Sequence, residues 1–262
     1  MSLLKTEGII LKTRRQGETS KILTIYTQNH GKINLIAKGS RSIKSRHWGT
    51  LEPFTHIALV YYYKDSRDLQ FISQADIIAA HPSIQSQLGK MILASILCEL
   101  ILRIETAENE NPALFRLLLE ALSTLNTHET GLRNIIRSFQ LKLVSLSGYE
   151  PNLSRCAVCG RTELESYVNF NIDAGQYTCQ HCSIKQKDQY SVSANAIKIM
   201  RWLQQVSIQQ SVSAKISVQT GREVDTFLLF YLRYHVEGLS KLNTVEFLDK
   251  IESDLSKKNS DS

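Results

Sequence analysis

Four cysteines carry the most specific chemistry in the sequence. Cys156-Ala-Val-Cys159 and Cys179-Gln-His-Cys182 are two CxxC pairs with nineteen residues between them. Two cysteines separated by two residues fit a tight knuckle that points both sulfurs at one centre. Two such knuckles complete the tetrahedron of a Cys₄ zinc site. A tetrahedron with no open position is structural rather than catalytic. Cys156, Cys159, Cys179 and Cys182 are therefore assigned as zinc ligands. Four thiolates around Zn²⁺ leave a net charge of −2, and Arg155, Arg161, Lys185 and Lys187 flank the pairs. Gly160 suits the tight backbone of a knuckle. The spacing leaves two disulfides, or a site that has lost its metal, as the alternatives. His181 lies inside the second pair and is read as a solvent-facing residue, because four thiolates already close the site.

A second constellation is basic. In Ala37-Lys-Gly-Ser-Arg-Ser-Ile-Lys-Ser-Arg-His47 the cations Lys38, Arg41, Lys44 and Arg46 occur with no acidic residue, on a Gly/Ser-rich segment. Such a loop fits cations to phosphates, and its serines and backbone amides add hydrogen bonds. Lys12 and Arg14 share one strand face by the period of two. Arg15, Lys21 and Lys32 add to the set. The bland reading is a solvated loop, but the distribution of charge favours a polyanion. Residues 1–80 hold 12 Lys and Arg against 6 Asp and Glu, whereas 81–262 hold 19 of each. The whole net charge of +6 therefore resides in the N-terminal third, which points to nucleic acid. Tyr26, Trp48, Phe54, Tyr61, Tyr62, Tyr63 and Phe71 interleave with these cations. At least half of these rings belong to a core, with Tyr61 and Tyr63 on one face and Tyr62 on the other. Trp48, beside the basic loop, is the ring expected to stack on bases.

Catalytic motifs are missing. The sequence holds no GxxxxGK[ST], HExxH, GxSxG or GxGxxG. His128 and His235 lie on helical stretches without a catalytic partner nearby and read as structural. The expectation is a protein that is not an enzyme.

These residues need elements to position them. Residues 8–14, 21–27, 32–37, 56–63 and 69–75 read as five short strands, rich in β-branched and aromatic residues and separated by turn residues. A five-stranded barrel of the OB type is the most economical arrangement, with an SH3-like barrel as competitor. After Pro82 the period becomes helical. One helix is expected from Ser83 to about Glu105, with Ser95, Glu99 and Arg103 as a thin polar stripe. Asn111-Pro112 caps the next helix, through about Leu125. Others are expected over 130–147, 193–205 and 222–238. The expected fold class is α+β: an N-terminal five-stranded OB-fold barrel followed by an α-helical domain with an embedded Cys₄ zinc module. The expected division is 1–80 for the barrel, 81–150 and 188–252 for the helical domain, 151–187 for the zinc module and 253–262 for a polar tail. Cys98 sits in an apolar helical run and reads as core.

Nothing in the sequence resembles a signal peptide, and the longest apolar run, 91–104, is too short to cross a bilayer. A reducing, cytoplasmic and nucleoid-associated location is expected, where CxxC pairs bind metal more often than they pair as disulfides.

Taken together, these residues resemble the RecO family of bacterial recombination mediators. Three stretches carry the likeness: 37–54, from Ala37-Lys38-Gly39-Ser40-Arg41 to Pro53-Phe54; Leu146-Ser-Gly148-Tyr149-Glu-Pro151 leading into Cys156; and Tyr231-Leu-Arg-Tyr-His235 followed by 241–248. The resemblance implies binding to single- and double-stranded DNA and annealing of complementary strands. It also implies work with RecR and with the acidic C-terminal tail of the single-stranded-DNA-binding protein (SSB) to load RecA. Some family members lack the cysteine set; this chain keeps all four. The family's usual basic residue after the loop arginine is Ser42 here, which places more weight on Arg41. The competing readings are an RNA-directed OB/zinc-ribbon adaptor and an enzyme with an unrecognised site.

Overall fold

The computed structural model describes residues 2–40, 51–104, 110–183 and 189–239. These fall into two compact units, one running up to Thr127 and the other from His128 onward.

The first unit is built on β1 (Ser2–Gln16), β2 (Ser20–Thr27), β3 (Gly31–Ala37), β4 (His56–Tyr63) and β5 (Leu69–Ala79). They close into a barrel in the order β1-β2-β3-β5-β4. All pairings are antiparallel except β3 with β5, which is parallel over Asn34–Ile36 and Leu69–Phe71. This is the OB-fold topology, and the long β1 serves both β2 and β4, which closes the sheet and leaves few edges. Period-two alternation fills the interior with Leu23, Ile25, Ile33, Leu35, Ile57, Leu59 and Tyr61. The sequence alternation at 8–14 breaks because β1 shifts register between Ile10 and Lys12. That bulge lets Ile9, Ile10 and Leu11 all be buried in succession.

Three helices follow in the same unit: α1 (Pro82–Ser86), α2 (Leu88–Ile104) and α3 (Pro112–Thr127). The single helix expected from Ser83 is divided, because Gln87 is extended between α1 and α2. Its cap is His81, not Ser83. Ser83 instead uses its hydroxyl to accept from Lys90 Nζ at 2.7 Å, which gives that buried ammonium a partner. The polar stripe on α2 is as read, and Arg103 bonds Glu99 at 3.2 Å. Asn111 caps α3 through Leu114 N–H at 3.0 Å.

His56 and His81 tie the barrel to these helices. Both are buried. His81 Nδ1 is 2.7 Å from the Phe54 carbonyl, so that nitrogen donates. His56 Nε2 is 3.1 Å from Glu7. Burial holds both rings below the ordinary value of 6.5; the Glu7 carboxylate opposes this at His56, and the Phe54 carbonyl opposes it at His81. The unfolded chain therefore takes up protons first as pH falls below 6.5. Stability from these groups is complete above that pH and drains away below it. The melting temperature should fall between pH 7 and pH 5, by roughly 2–4 °C for each kcal/mol lost. His81→Asn keeps a donor for Phe54 and tolerates the left-handed φ of 51°, and should flatten that slope. An unchanged slope would show that these histidines are not the sensitive groups.

The second unit contains α4 (Leu132–Leu146), then β6 (Tyr167–Asn171), β7 (Gln176–Thr178) and β8 (Gln189–Ser193), then α5 (Ala194–Gln205), α6 (Ile208–Ser211) and α7 (Val218–His235). The sheet, in the order β7-β6-β8, is an addition to the sequence reading, which placed no strands in the cysteine module. Its β6–β7 hairpin places Cys179 just after β7. Phe170 of β6 packs edge-on to Phe227 of α7 at 4.9 Å. Arg137 of α4 is buried and bonds both carboxylate oxygens of Asp225 on α7, at 2.7 and 2.8 Å. It passes over Gly221, where an added Cβ would lie 2.7 Å from its Nη2. α7 begins a turn earlier than expected, because Ser217 accepts from Thr220 N–H as its cap. The expected polar tail, 253–262, lies outside the described residues, as does 241–248.

Candidate metal centre and nucleic-acid interface

The four sulfurs of Cys156, Cys159, Cys179 and Cys182 lie within 4.8 Å of one another. Local hydrogen bonds fold each pair into a knuckle. In the first, Gly160 N–H bonds the Cys156 carbonyl at 3.0 Å, with Gly160 at φ 72°. In the second, Cys182 N–H bonds the Cys179 carbonyl at 3.1 Å. Ala157 N–H reaches the Tyr177 carbonyl at 2.9 Å and stitches the first knuckle to β7. Cys159 Sγ and Cys179 Sγ are 3.8 Å apart. That is far too long for a disulfide, and all five cysteines are free. It is, however, the edge of a tetrahedron whose centre lies about 2.3 Å from each sulfur, the zinc–thiolate distance.

The protonation pattern also suits a cation. At Cys156 burial works to raise the thiol, but N–H groups of Cys159, Cys179 and Val158 outweigh it and bring the thiol down to about 6. Cys179 N–H is 3.3 Å from its sulfur. Cys182 is instead pushed up to about 12, chiefly by hydrogen bonds to Cys159 and Cys179. Four sulfurs this close cannot all shed their protons unless a positive ion sits among them. The donor set therefore fits a tetrahedral thiophilic metal. His181 turns away from the cluster, is exposed, and pairs with Glu165 at 3.1 Å. Behind the knuckles the Tyr177 hydroxyl is pushed up first by burial; Arg201 opposes this, and Cys156 and Cys179 add to it. Cys98 is buried in α2 and burial alone pushes it up to about 12, which fits an inert core thiol.

The barrel's outer face holds the second site. Cross-strand partners point to the same side of a sheet, so the register defines a row around the barrel. It runs Arg14–Ile22–Ile36–Phe71–Tyr62–Leu3 across β1, β2, β3, β5, β4 and back to β1. Tyr62 is 39% and Leu3 53% exposed. Over the half-buried Phe71 ring stand two cations, Lys38 Nζ at 4.9 Å and Arg67 at 5.4 Å. Among the described residues no carboxylate pairs with Lys12, Arg14, Lys38 or Arg67. Lys12 lies opposite Thr24 on the same outer face. Of the other expected cations, Lys21 is committed to Glu52 at 2.5 Å and Lys32 to the Leu102 carbonyl at the end of α2, at 2.9 Å. Arg41, Lys44, Arg46 and Trp48 lie outside the described residues. Tyr26, Phe54 and Tyr61 are core.

Arg67 and the pairing of Tyr62 with Phe71 escaped the sequence reading. Arg67 stands between Asp65 and Asp68 in what reads as an ordinary polar turn. Buried Gln70 fixes that turn: its side chain bonds the carbonyls of Lys64 and Arg67, at 3.0 and 2.6 Å, and the N–H of Lys64 at 3.1 Å. Only this folded turn brings Arg67 over Phe71. Gln70→Leu should free it and weaken single-stranded DNA binding by up to about tenfold, the scale of one or two lost hydrogen bonds. Fluorescence anisotropy with a labelled oligonucleotide would measure this; unchanged affinity would show that the turn has no part in binding.

In the second unit a cleft of about 740 Å³ opens at the amino ends of α4 and α7. Leu132 and Ile216 line it together with Arg133, Arg137 and Lys215.

The class these features define is an OB-fold protein with a helical second unit and a tetracysteine cluster. The chain belongs to the RecO family. The model for the N-terminal part of recombination protein O matches residues 1–81, and that for its C-terminal part matches 85–243. The DNA repair protein RecO of Thermoanaerobacter sp. (strain X514) is 32% identical over 237 residues, 90% of this chain and 94% of the relative. The DNA repair protein RecO of Desulforamulus reducens is 29% identical over 251 residues, 96% of each chain. The one from Caldanaerobacter subterraneus subsp. tengcongensis is 32% identical over 240 residues, 90% of this chain and 94% of the relative. These matches name DNA repair and give the RNA-directed adaptor reading no support. Among the described residues no helix is long and apolar enough to cross a membrane.

Proposed function

We propose that this chain is a non-enzymatic mediator of recombinational DNA repair that binds single- and double-stranded DNA and anneals complementary strands. The observation that carries the reading is the outer row of the barrel, with Phe71 beneath Lys38 and Arg67 and beside the exposed Tyr62. Exposed rings stack on unpaired bases whatever their sequence, and cations beside them hold the phosphates. Lys12, Arg14 and Lys38 contact phosphates there, joined by Arg41, Lys44 and Arg46, with Trp48 as a further stacking ring. Annealing needs no fuel, because base pairing supplies the free energy; the protein has only to gather two polyanions and screen their repulsion. Zinc, held by Cys156, Cys159, Cys179 and Cys182, has a structural role.

The partners are RecR and SSB, and through them RecA, in a cytoplasmic, nucleoid-associated setting. An acidic peptide tail needs an apolar floor with a basic rim. The cleft at α4 and α7, where Leu132 and Ile216 lie beside Lys215 and beside Arg133, itself bonded to Asp225 at 3.2 Å, supports that role for the SSB C-terminal tail, with Glu129 the one acidic residue among the described residues that line it.

The test is a competition between DNA and RNA oligonucleotides of equal length and sequence. The mediator reading expects DNA to bind at least as well as RNA, with affinity falling steeply with salt. A strong preference for RNA, or binding indifferent to salt, would overturn it.

A further inference from the structure

Among the described residues, two buried side-chain polar atoms make no hydrogen bond of good geometry, the hydroxyl of Tyr177 and Nη2 of Arg201; the Arg201 side chain stands close enough to the Tyr177 hydroxyl behind the knuckles to oppose its upward shift. Arg201 comes from α5. Its Nε donates to the Leu153 carbonyl at 2.8 Å, three residues before Cys156. Tyr177 lies two residues before Cys179, and its carbonyl accepts from Ala157 inside the first knuckle. One side chain thus holds the entry to the first knuckle while its charged end lies beside the residue that leads into the second.

A buried N–H that lacks a full hydrogen bond is costly, the more so on a charged group. Such a group persists where a nearby negative charge offsets it. Four thiolates around one divalent ion carry that charge. Among the described residues, the other cations beside the knuckles, Arg155 and Arg161, are exposed, and Arg161 lies 3.7 Å from Glu165. Water screens their effect, whereas Nη2 of Arg201 is shielded from it and acts through a weaker dielectric.

We propose that Arg201 is the positioning residue of the metal centre: its guanidinium, half-buried with Nη2 shut off from water, offsets the tetrathiolate charge, and its bond to Leu153 sets the first knuckle. The inference rests on the zinc reading of the four cysteines. Arg201 acts through Tyr177 and the backbone, as outer-shell partners of metal ligands do.

The test uses the full chain with Arg201→Gln, which keeps a donor for Leu153 without the charge, and Arg201→Lys, which keeps the charge. Zinc affinity is read by competition with a chromophoric chelator, alongside the thiolate-to-metal bands of the Co²⁺-loaded protein. Arg201→Gln should bind zinc about 10–100-fold more weakly, the usual cost of losing an outer-shell partner, and shift the bands. Arg201→Lys should stay within about threefold of the parent. A role in packing α5 alone would lower melting in both variants and leave zinc affinity and the bands unmoved. Parental affinity in Arg201→Gln overturns the proposal. So does a loss of about tenfold or more in Arg201→Lys, which decides the matter even if the Gln variant does not fold. A parent chain that takes up no zinc overturns the metal reading itself, and this assignment with it.

Discussion

Cys156→Ser, or removal of the metal by a strong chelator, should lower the stability of the second unit by on the order of 4–5 kcal/mol or more, the range into which loss of a structural metal falls. The knuckles have little else to hold them. Ala157, Val158, Cys159 and Gly160 are all exposed, and of the four ligands only Cys156 and Cys179 are buried. Apolar burial lies to either side of them, at Leu153 and at the sheet, where Val168, Phe170 and Tyr177 sit behind the knuckles. Binding free energy at such a site is folding free energy. The melting temperature should fall by roughly 10–20 °C, at about 2–4 °C per kcal/mol. Calorimetry with and without chelator, beside a measured zinc content, checks this. Single-stranded DNA binding by the barrel should change far less. A mutant that melts normally but no longer binds DNA would make the cysteines a contact site instead of a brace.

Phe71→Ala should weaken single-stranded DNA binding by about 1–3 kcal/mol, roughly 5- to 150-fold, the value of one base stacked on an aromatic ring. Removing the ring also removes the surface on which Lys38 and Arg67 rest. The double variant Lys38→Ala, Arg67→Ala should act differently. It should lower the slope of log affinity against log salt by about 0.7 for each phosphate of a single strand that is no longer neutralised. Lys21→Met is the control, since Lys21 is held by Glu52 and the Leu51 carbonyl; it should cost stability and leave the salt slope alone. Oligonucleotide titrations at several salt concentrations separate the three. An unchanged slope in the double variant would move the phosphate path off this face.

Much of this was legible in the residues because it is local. The CxxC pairs, the turn residues of the hairpins, the Asn111 cap and the Glu99–Arg103 pair each depend on neighbours within a few positions. What was not legible depends on register. That Phe71 faces Tyr62 and Ile36 follows from how β5 pairs with β4 and β3, which alternation in one strand cannot specify. Lys21 and Lys32 read as free surface cations, yet a carboxylate 31 residues away and a helix end 70 residues away claim them. The break at Gln87 was hidden because the contacts that accompany it, the Lys90–Ser83 bond and the buried His81, are between side chains that meet across the turn. The strands behind the knuckles were missed because Tyr167–Asn171 and Gln176–Thr178 are too short and polar to show a period.

A cationic, ring-bearing barrel with no fuel should suffice to bring complementary strands together. The most direct test of this is annealing of two complementary DNA strands, each coated with the cognate SSB, in the absence of nucleotide. The parent chain should accelerate annealing, and Phe71→Ala should lose most of the acceleration while still folding. Tight, salt-sensitive DNA binding without any acceleration would contradict it.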